Sequence, residues 1–412
     1  MTPEIKTRIE QIRRGEVPVG YKKTKTDIVP NDWKEVLLAD CICEYSKKTT
    51  IPNQYPVLTS ARKGLMLQKE YFTNRQVTTE DNVGYNILPY GYITFRSRSD
   101  DGKFVFNVNK IIERGIISYF YPVFSFGENV SRDFMLETLN HTIYKRMFPL
   151  VEGTAQQVLS LNKLGKLYYN VPTIAEQQKI AAILTDQDKI IELKENLLTE
   201  KQRQKKCLMQ QLLTGKKRLP GFSRGWSFPK AKEIFRSISD KDHNGDLMVL
   251  SSTQDRGIVP RDEVDIDIKY NTSSLINYKK VCKGHFVISL RSFQGGIEYS
   301  AYTGLVSPAY TVLTPKRVIS DEYYKQFFKS TDYLKRLNVA IYGIRDGKQI
   351  SYEDFGRLWI PYPPIEEQTA IAEVLSTADH ELDLLHQDIE QEKQKKKALM
   401  QLLLTGIVRV NV

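Results

Sequence analysis

The chain has 412 residues, 41% of them hydrophobic and 26% charged, with a formal net charge of +11 and a pI of about 9.2. That length exceeds one ordinary core and implies two to three domains. The basic surplus points to a polyanionic partner, nucleic acid or an anionic membrane surface, while the absence of any apolar run of about eighteen residues excludes a membrane-spanning helix.

Residues 1–29 begin with a charged stretch, MTPEIKTRIEQIRRGE, that lacks the apolar core of a signal peptide. Within it, Arg8 to Gly15 resembles the ends of two longer helices further along, and a basic linker then leads to Trp33. Residues 30–166 alternate short apolar runs with Gly, Asn and Asp turns, the pattern of short strands. Tyr55–Thr59 and Tyr90–Phe95 read as buried strands, and a helix near Arg132 to Met147 closes the domain. Three of its loops gather basic and hydrogen-bonding side chains: Ser60, Arg62 and Lys63; Arg96, Arg98 and Lys103; Gln156 and Gln157.

Residues 167–219 are helical. Thr173-x-x-Glu176 forms a capping box at the start, and Ile180, Leu184, Ile191, Leu198, Leu208 and Leu212 recur at the 3–4 spacing of a coiled-coil seam. Gly215 stands where a helix-ending glycine belongs. Residues 220–357 return to the mixed pattern, with strands expected at Leu247–Ser251 and His285–Leu290 and a helix near Asp321 to Leu337. Its loops hold Ser252, Gln254 and Arg256; Arg291, Ser292 and Gln294; Arg345 and Lys348. Residues 358–412 are helical again, from Pro363-Pro364 through Ile371, Leu375, Leu382, Leu385, Ile389, Leu399 and Leu403 to Gly406.

The two helical segments are copies. From Leu167 and from Leu358 they align without a gap at an offset of 191, and about twenty of fifty-three positions are identical, against roughly three by chance. The duplication continues upstream in weaker form: TSARKGL (Thr59 to Leu65) parallels SSTQDRGI (Ser251 to Ile258), with one extra residue in the second copy, and Tyr144 to Met147 parallels Leu334 to Leu337. Helices have stayed alike while globular parts have drifted. Something requires the helices to match and lets the domains differ.

Each helix should run about 40 residues, roughly 60 Å. One alone leaves its seam in water, whereas a matched antiparallel pair buries both. Two separate self-dimerising coils would also bury them, but a tether of 191 residues within one chain favours the internal pair. The expected fold is therefore α/β (α+β) globular domains in tandem, joined by two long antiparallel coiled-coil helices, with a pseudo-two-fold, circular internal repeat. Lys194, Lys201, Lys205, Glu392 and Lys396 fall on the seam, and the lysine runs at Lys205-Lys206 and Lys395-Lys396-Lys397 read as a solvated face.

Reading base edges in the major groove needs Arg, Lys, Gln or Asn on rigid supports, and loops that follow buried strands meet that need. Signals of catalysis are missing. No Gly-x-x-x-x-Gly-Lys-[Ser/Thr] phosphate loop and no dinucleotide fingerprint is present. Nor is there an Asn/Asp-Pro-Pro-Tyr tetrapeptide to hold a flipped base. The four cysteines, Cys41, Cys43, Cys207 and Cys282, are too scattered for a metal site and suit a reducing cytoplasm.

PTIAEQQKIAAIL and PPIEEQTAIAEVL, the tails LMQQLLTGKKRLP and LMQLLLTGIVRV, and the entry Pro220-Gly221-Phe222-Ser223-Arg224-Gly225-Trp226 together resemble the specificity subunit of type I restriction-modification systems, over essentially the whole chain. The resemblance implies two target-recognition domains, each reading half of a split double-stranded DNA site. It implies that the duplicated helices dock two modification (methyltransferase) subunits, with Glu176, Gln177, Glu367 and Gln368 at the helix starts as expected contacts, and that restriction subunits join them. S-adenosylmethionine, ATP and Mg would sit on those partners, leaving this chain without cofactor or catalysis. The two domains would reach major-groove windows about one turn, roughly 10 base pairs, apart. The alternative is a coiled-coil adaptor whose domains no longer read sequence.

Overall fold

The computed structural model describes residues 2–72, 81–147, 157–254, 256–264, 272–290, 292, 296–340 and 350–411. They form two compact units, Met1–Leu193 with Glu390–Val412, and Lys194–Ile389. Each unit holds one globular domain, the leading part of one long helix and the trailing part of the other.

In the first unit a helix (Pro3–Arg13) precedes strands β1 (Tyr21–Lys23), β2 (Ile28–Pro30), β3 (Lys34–Leu37), β4 (Ile42–Glu44), β5 (Leu58–Ala61), β6 (Gly64–Leu67) and β7 (Asn86–Pro89). There follow β8 (Ile93–Phe95), β9 (Arg98–Ser99), β10 (Phe106–Val108), β11 (Arg114–Ile117), β12 (Val123–Phe126), the helix Arg132–Met147, β13 (Gln157–Val158) and β14 (Tyr168–Val171). The order β10-β8-β12-β4 makes an antiparallel sheet, and β1–β2, β5–β6, β7–β11, β9–β13 and β3–β14 pair off around it. Two expected strands are shifted. The segment from Tyr90 becomes a strand only at Ile93, because Gly91 (φ +82°) makes a turn first. The segment from Tyr55 joins the hairpin ladder only at Leu58, beyond Pro56, which has no N–H to give it, although Val57 already bridges Ile116. The core packs Phe95, Phe106, Phe124 and Phe134 against Ile180 and Leu184 of the first long helix and Leu403 of the second.

The second unit has β15 (Phe235–Ile238), β16 (Leu250–Thr253), β17 (Gly257–Pro260), β18 (Lys279–Val281), β19 (Phe286–Ile288), β20 (Glu298–Tyr299), β21 (Gly304–Val306) and β22 (Thr311–Pro315). Its sheet order is β15-β22-β19-β20, beside the pairs β16–β17 and β18–β21. The single helix expected from Asp321 to Leu337 is two, Asp321–Phe327 and Thr331–Ala340. Ser330 breaks it: its hydroxyl donates to the Phe327 carbonyl (2.7 Å) and accepts from the Tyr333 amide (3.3 Å), capping a new helix. Here Phe235, Phe286 and Phe328 pack with Ile371 and Leu375 of the second long helix and Leu212 of the first.

The long helices span Ile174–Leu212 and Ile365–Leu403, 39 residues each. Gly215 and Gly406 end them with φ of +70° and +72°, as a residue without Cβ allows. A Cβ at Gly215 would lie 3.1 Å from the Trp226 ring, and one at Gly406 would meet Pro30 at 2.6 Å. Only half of the expected capping box forms: the Glu176 amide donates to Thr173 Oγ1 at 3.4 Å, but the Glu176 carboxylate turns elsewhere.

Within each unit the helices run antiparallel. In the first, Gln187 donates to Glu392 (2.6 Å) and Lys396 pairs with Asp188 (2.6 Å). In the second, Lys194 pairs with Asp388 (2.8 Å), Lys201 with Glu381 (2.9 Å) and Lys205 with Asp379. The solvated face expected for the lysine runs is thus corrected at two positions. Lys205 and Lys396 are half-buried and ion-paired, because an antiparallel register sets each opposite an aspartate. Each pair also touches its own domain: Lys396 is 3.5 Å from Glu137, and Gln326 donates to Asp379 at 2.6 Å.

Candidate nucleic-acid interface

The first unit carries an open groove of about 780 Å³ lined by Ser60, Arg62, Lys63, Arg96, Arg98 and Lys103 among others. Two of the three expected loops therefore meet. The reason is local: Ala61 pairs with Gly64, so Arg62-Lys63 is the two-residue tip of the β5–β6 hairpin, and Arg96 follows the buried end of β8. The third loop arrives through β13, whose Gln157 pairs with Ser99 of β9. The Gln157 side chain fills the space beside Gly102, where a Cβ would lie 2.3 Å from its Oε1.

The groove's cations are not equivalent. Arg62 pairs with Asp101 at 2.6 Å, and Lys103 Nζ lies 4.0 Å from the same carboxylate. Desolvation, the largest influence, pushes the Asp101 carboxyl up, but the Lys103 amide, Ser99 and Arg62 together hold its pKa below the ordinary value. The Arg98 guanidinium stands over the Phe120 ring, 4.6 Å from its centre. Arg96 and Lys63 are exposed and make no ion pair among the described residues. Such cations, on strand ends and a tight hairpin, suit phosphate oxygens and base edges. Ser60 is a correction. It is buried, and its Oγ accepts from Asn107 Nδ2 at 2.8 Å, so it braces the hairpin from inside.

In the second unit the corresponding hairpin is β16–β17, and its tip, residues 254–256, is one residue longer. Arg256 is tied down, its guanidinium donating to the Glu263 carbonyl at 2.8 Å, and the Gln254 carbonyl accepts from Lys329 at 3.1 Å. Ser252 is half-buried in the hairpin opposite Ile258. Ser292 is a second correction: it is buried, and its Oγ accepts from the Ser289 amide at 2.8 Å. Gln156, Arg291, Gln294, Arg345 and Lys348 lie outside the described residues.

The four expected partner contacts at the helix starts are also corrected. Glu176 and Gln177 are each 1% exposed, Glu367 and Gln368 each 0%. Arg409 grips both Glu176 oxygens at 2.6 Å and reaches Asp32 at 2.8 Å. Arg218 grips Glu367 at 2.5 and 2.7 Å, and Trp226 Nε1 donates to it at 2.8 Å. Gln177 donates to the Pro172 carbonyl (2.9 Å) and accepts from the Ser131 amide (2.7 Å), while Gln368 does the same with Pro363 (2.8 Å) and Ser320 (2.9 Å). With every strong polar group used, these side chains fix how each helix leaves its domain and offer nothing to a partner. The sequence reading passed over Arg218 and Arg409, although both fall among the identical positions of the two copies. It also passed over Asp101 and Phe120, which no spacing marks.

In the first unit the first helix and hairpin meet the segment that follows the second long helix: Tyr21 donates to the Gly406 carbonyl at 2.8 Å and Arg8 to that of Ile407 at 2.6 Å. Among the described residues no helix is long and apolar enough to cross a membrane and no cluster of His, Cys, Asp or Glu could hold a metal ion.

Comparison with known proteins adds the following. The family model for the type I restriction modification DNA specificity domain matches twice, at residues 30–201 and 226–394. The chain is 24% identical to a Methanocaldococcus jannaschii protein assigned as the specificity subunit of the type I restriction enzyme MjaX, over 95% of this chain and 97% of that one. Its fold is similar to that of the type I restriction-modification S subunit from M. genitalium (TM-score 0.53, 13% identity, 95% and 98% of the two chains). It is also similar to a chain from a study of complex assembly and conformational transition of the type I R-M system (TM-score 0.56, 16% identity, 92% and 99%).

Proposed function

The chain belongs to the type I restriction-modification DNA specificity family, and from that premise we propose that it is the non-catalytic subunit that reads a bipartite, asymmetric DNA site and docks the subunits that methylate and cut. The observation that carries this is the basic groove of the first unit, where Arg62, Lys63, Arg96 and Lys103 converge on rigid strand ends. A different loop set on the second unit reads a different half-site. The long helices act as a coiled-coil spacer between two pseudo-two-fold related halves. Their matched surfaces, rather than the buried glutamates and glutamines at their starts, receive two methyltransferase subunits. Those subunits and the restriction subunits bring S-adenosylmethionine, ATP and Mg, and the assembly works in the cytoplasm.

The test is methylome sequencing of cells that carry the chain with its methyltransferase partner. One motif of two unlike half-sites with a fixed unread spacer is expected. Complex formation without any methylated motif, together with DNA binding that depends steeply on salt but not on sequence, would leave a coiled-coil adaptor instead.

A further inference from the structure

The β3–β14 ladder of the first unit has a counterpart in the second, where Ser227 faces Tyr362 and Lys230 faces Trp359. In the first unit Glu35, Tyr168 and Asn170 share one face of the ladder, and the β1–β2 hairpin covers it. The Lys25 amide donates to Glu35 at 3.1 Å, and its ammonium lies 4.1 Å from the centre of the Tyr168 ring. Asn170 donates to the hydroxyls of Thr24 (3.1 Å) and Thr26 (3.0 Å). Asp27 pairs with Arg146, which donates to the Tyr168 carbonyl at 2.6 Å.

In the second unit the same register puts Phe228, Trp359 and Pro361 at the places of Glu35, Tyr168 and Asn170. Arg336 takes the place of Arg146 and donates to the Trp359 carbonyl at 3.5 Å. The polar groups that hold the hairpin are gone, and so is the hairpin. The linker from Lys216 to Gly225 is short and has no acidic residue. Among the described residues only Lys230, from the ladder itself, stands over the Trp359 ring, at 5.3 Å. Trp359 is left 57% exposed and Phe228 46%. A face that is polar where covered and aromatic where bare is the reverse of what solvent selects, and exposed aromatics beside cations are the usual anchors of protein interfaces.

We propose that this face of the second unit docks an apolar, carboxylate-bearing segment of a partner protein, in the place that the β1–β2 hairpin fills in the first unit. Phe228 and Trp359 supply the buried area, and Lys230 receives the carboxylate; Arg336 already pairs with Asp332 of its own helix at 2.8 Å. The inference rests on the reading of the chain as a docking subunit and narrows it: the duplicated surfaces are alike in their helices, but among the described residues this face is covered in the first unit and open in the second.

The test uses the full chain co-expressed with its methyltransferase subunit, with a photoreactive p-benzoylphenylalanine at position 228 or, as a covered control, at position 35. Irradiation should join position 228 to an acidic segment of the methyltransferase and position 35 to the chain's own residues 24–27. Phe228→Ser with Trp359→Ser should weaken the complex about tenfold or more at an unchanged Tm. A complex that forms normally without the cross-link, or is indifferent to the double substitution, overturns the inference and leaves the proposed function standing. A cross-link to DNA or to a second copy of the chain also overturns it. Failure of the unsubstituted chain to form the complex overturns both.

Discussion

At the start of each long helix a buried glutamate is held by an arginine from beyond the end of the other helix, Glu176 by Arg409 and Glu367 by Arg218. The loop clusters show no such agreement. In the first unit the hairpin tip Arg62-Lys63 opens onto a basic groove, whereas in the second Arg256 folds back onto Glu263. Contacts that set the exit of a helix are repeated almost atom for atom, and contacts available to a ligand are not. The difference separates two physical tasks. The contacts that fix a helix exit are alike in the two units, and the side chains at the loops are not.

The largest effects should fall on the repeated contacts. Arg409→Ala leaves the Glu176 carboxylate buried without its cation and should cost about 3–5 kcal/mol in urea or thermal unfolding. Arg218→Ala should cost less, because Trp226 still donates to Glu367, whereas the Trp33 indole N–H has no hydrogen-bond partner. Losses below about 1 kcal/mol at both positions would break the comparison at its firmest point.

Substitutions in the groove should do the opposite. Lys63→Ala and Arg96→Ala give up no ion pair, so stability should change by less than about 0.5 kcal/mol. DNA affinity should fall, with the slope of log K against log salt shallower by about 1 for each lost phosphate contact. A loss of stability without a loss of affinity would assign these cations to the fold.

The smallest effect sharpens another place where the repeated contacts differ, Glu137 against Gln326. Burial, the largest influence, pushes the Glu137 carboxyl above its ordinary pKa; Lys396 pulls it down but does not restore it. A carboxyl raised on folding contributes stability at low pH that is lost as pH rises through and beyond the unfolded value. Glu137→Gln should therefore raise Tm slightly near pH 7, with the gain vanishing toward pH 4, and Gln326→Glu should do the reverse. A gain that grows on acidification would contradict the assignment.

Much of this was legible in the sequence. Apolar spacing from Ile180 to Leu212 fixed a long helix, and Gly215 and Gly406 its ends, because periodicity and helix-ending glycine act locally. That Arg62 and Arg256 lie on matching loops was legible from the duplication, although that these loops are hairpin tips was not. Burial was not, since it depends on distant partners: Ser60 and Ser292 looked like loop hydroxyls until Asn107 and Ser289 claimed them. Glu176 and Glu367 looked like surface acids because the arginines that bury them lie 233 and 149 residues away.

The most direct test of the division between spacing and reading is to remove one heptad from each helix, residues 191–197 and 385–391, which the Lys194–Asp388 pair sets opposite each other. Methylomes of cells carrying the shortened and full chains with the methyltransferase partner are then compared. Seven residues are about 10.5 Å, or about three base pairs. The same two half-sites with a spacer shorter by about that amount are expected; altered half-sites with an unchanged spacer would contradict a spacing role for the helices.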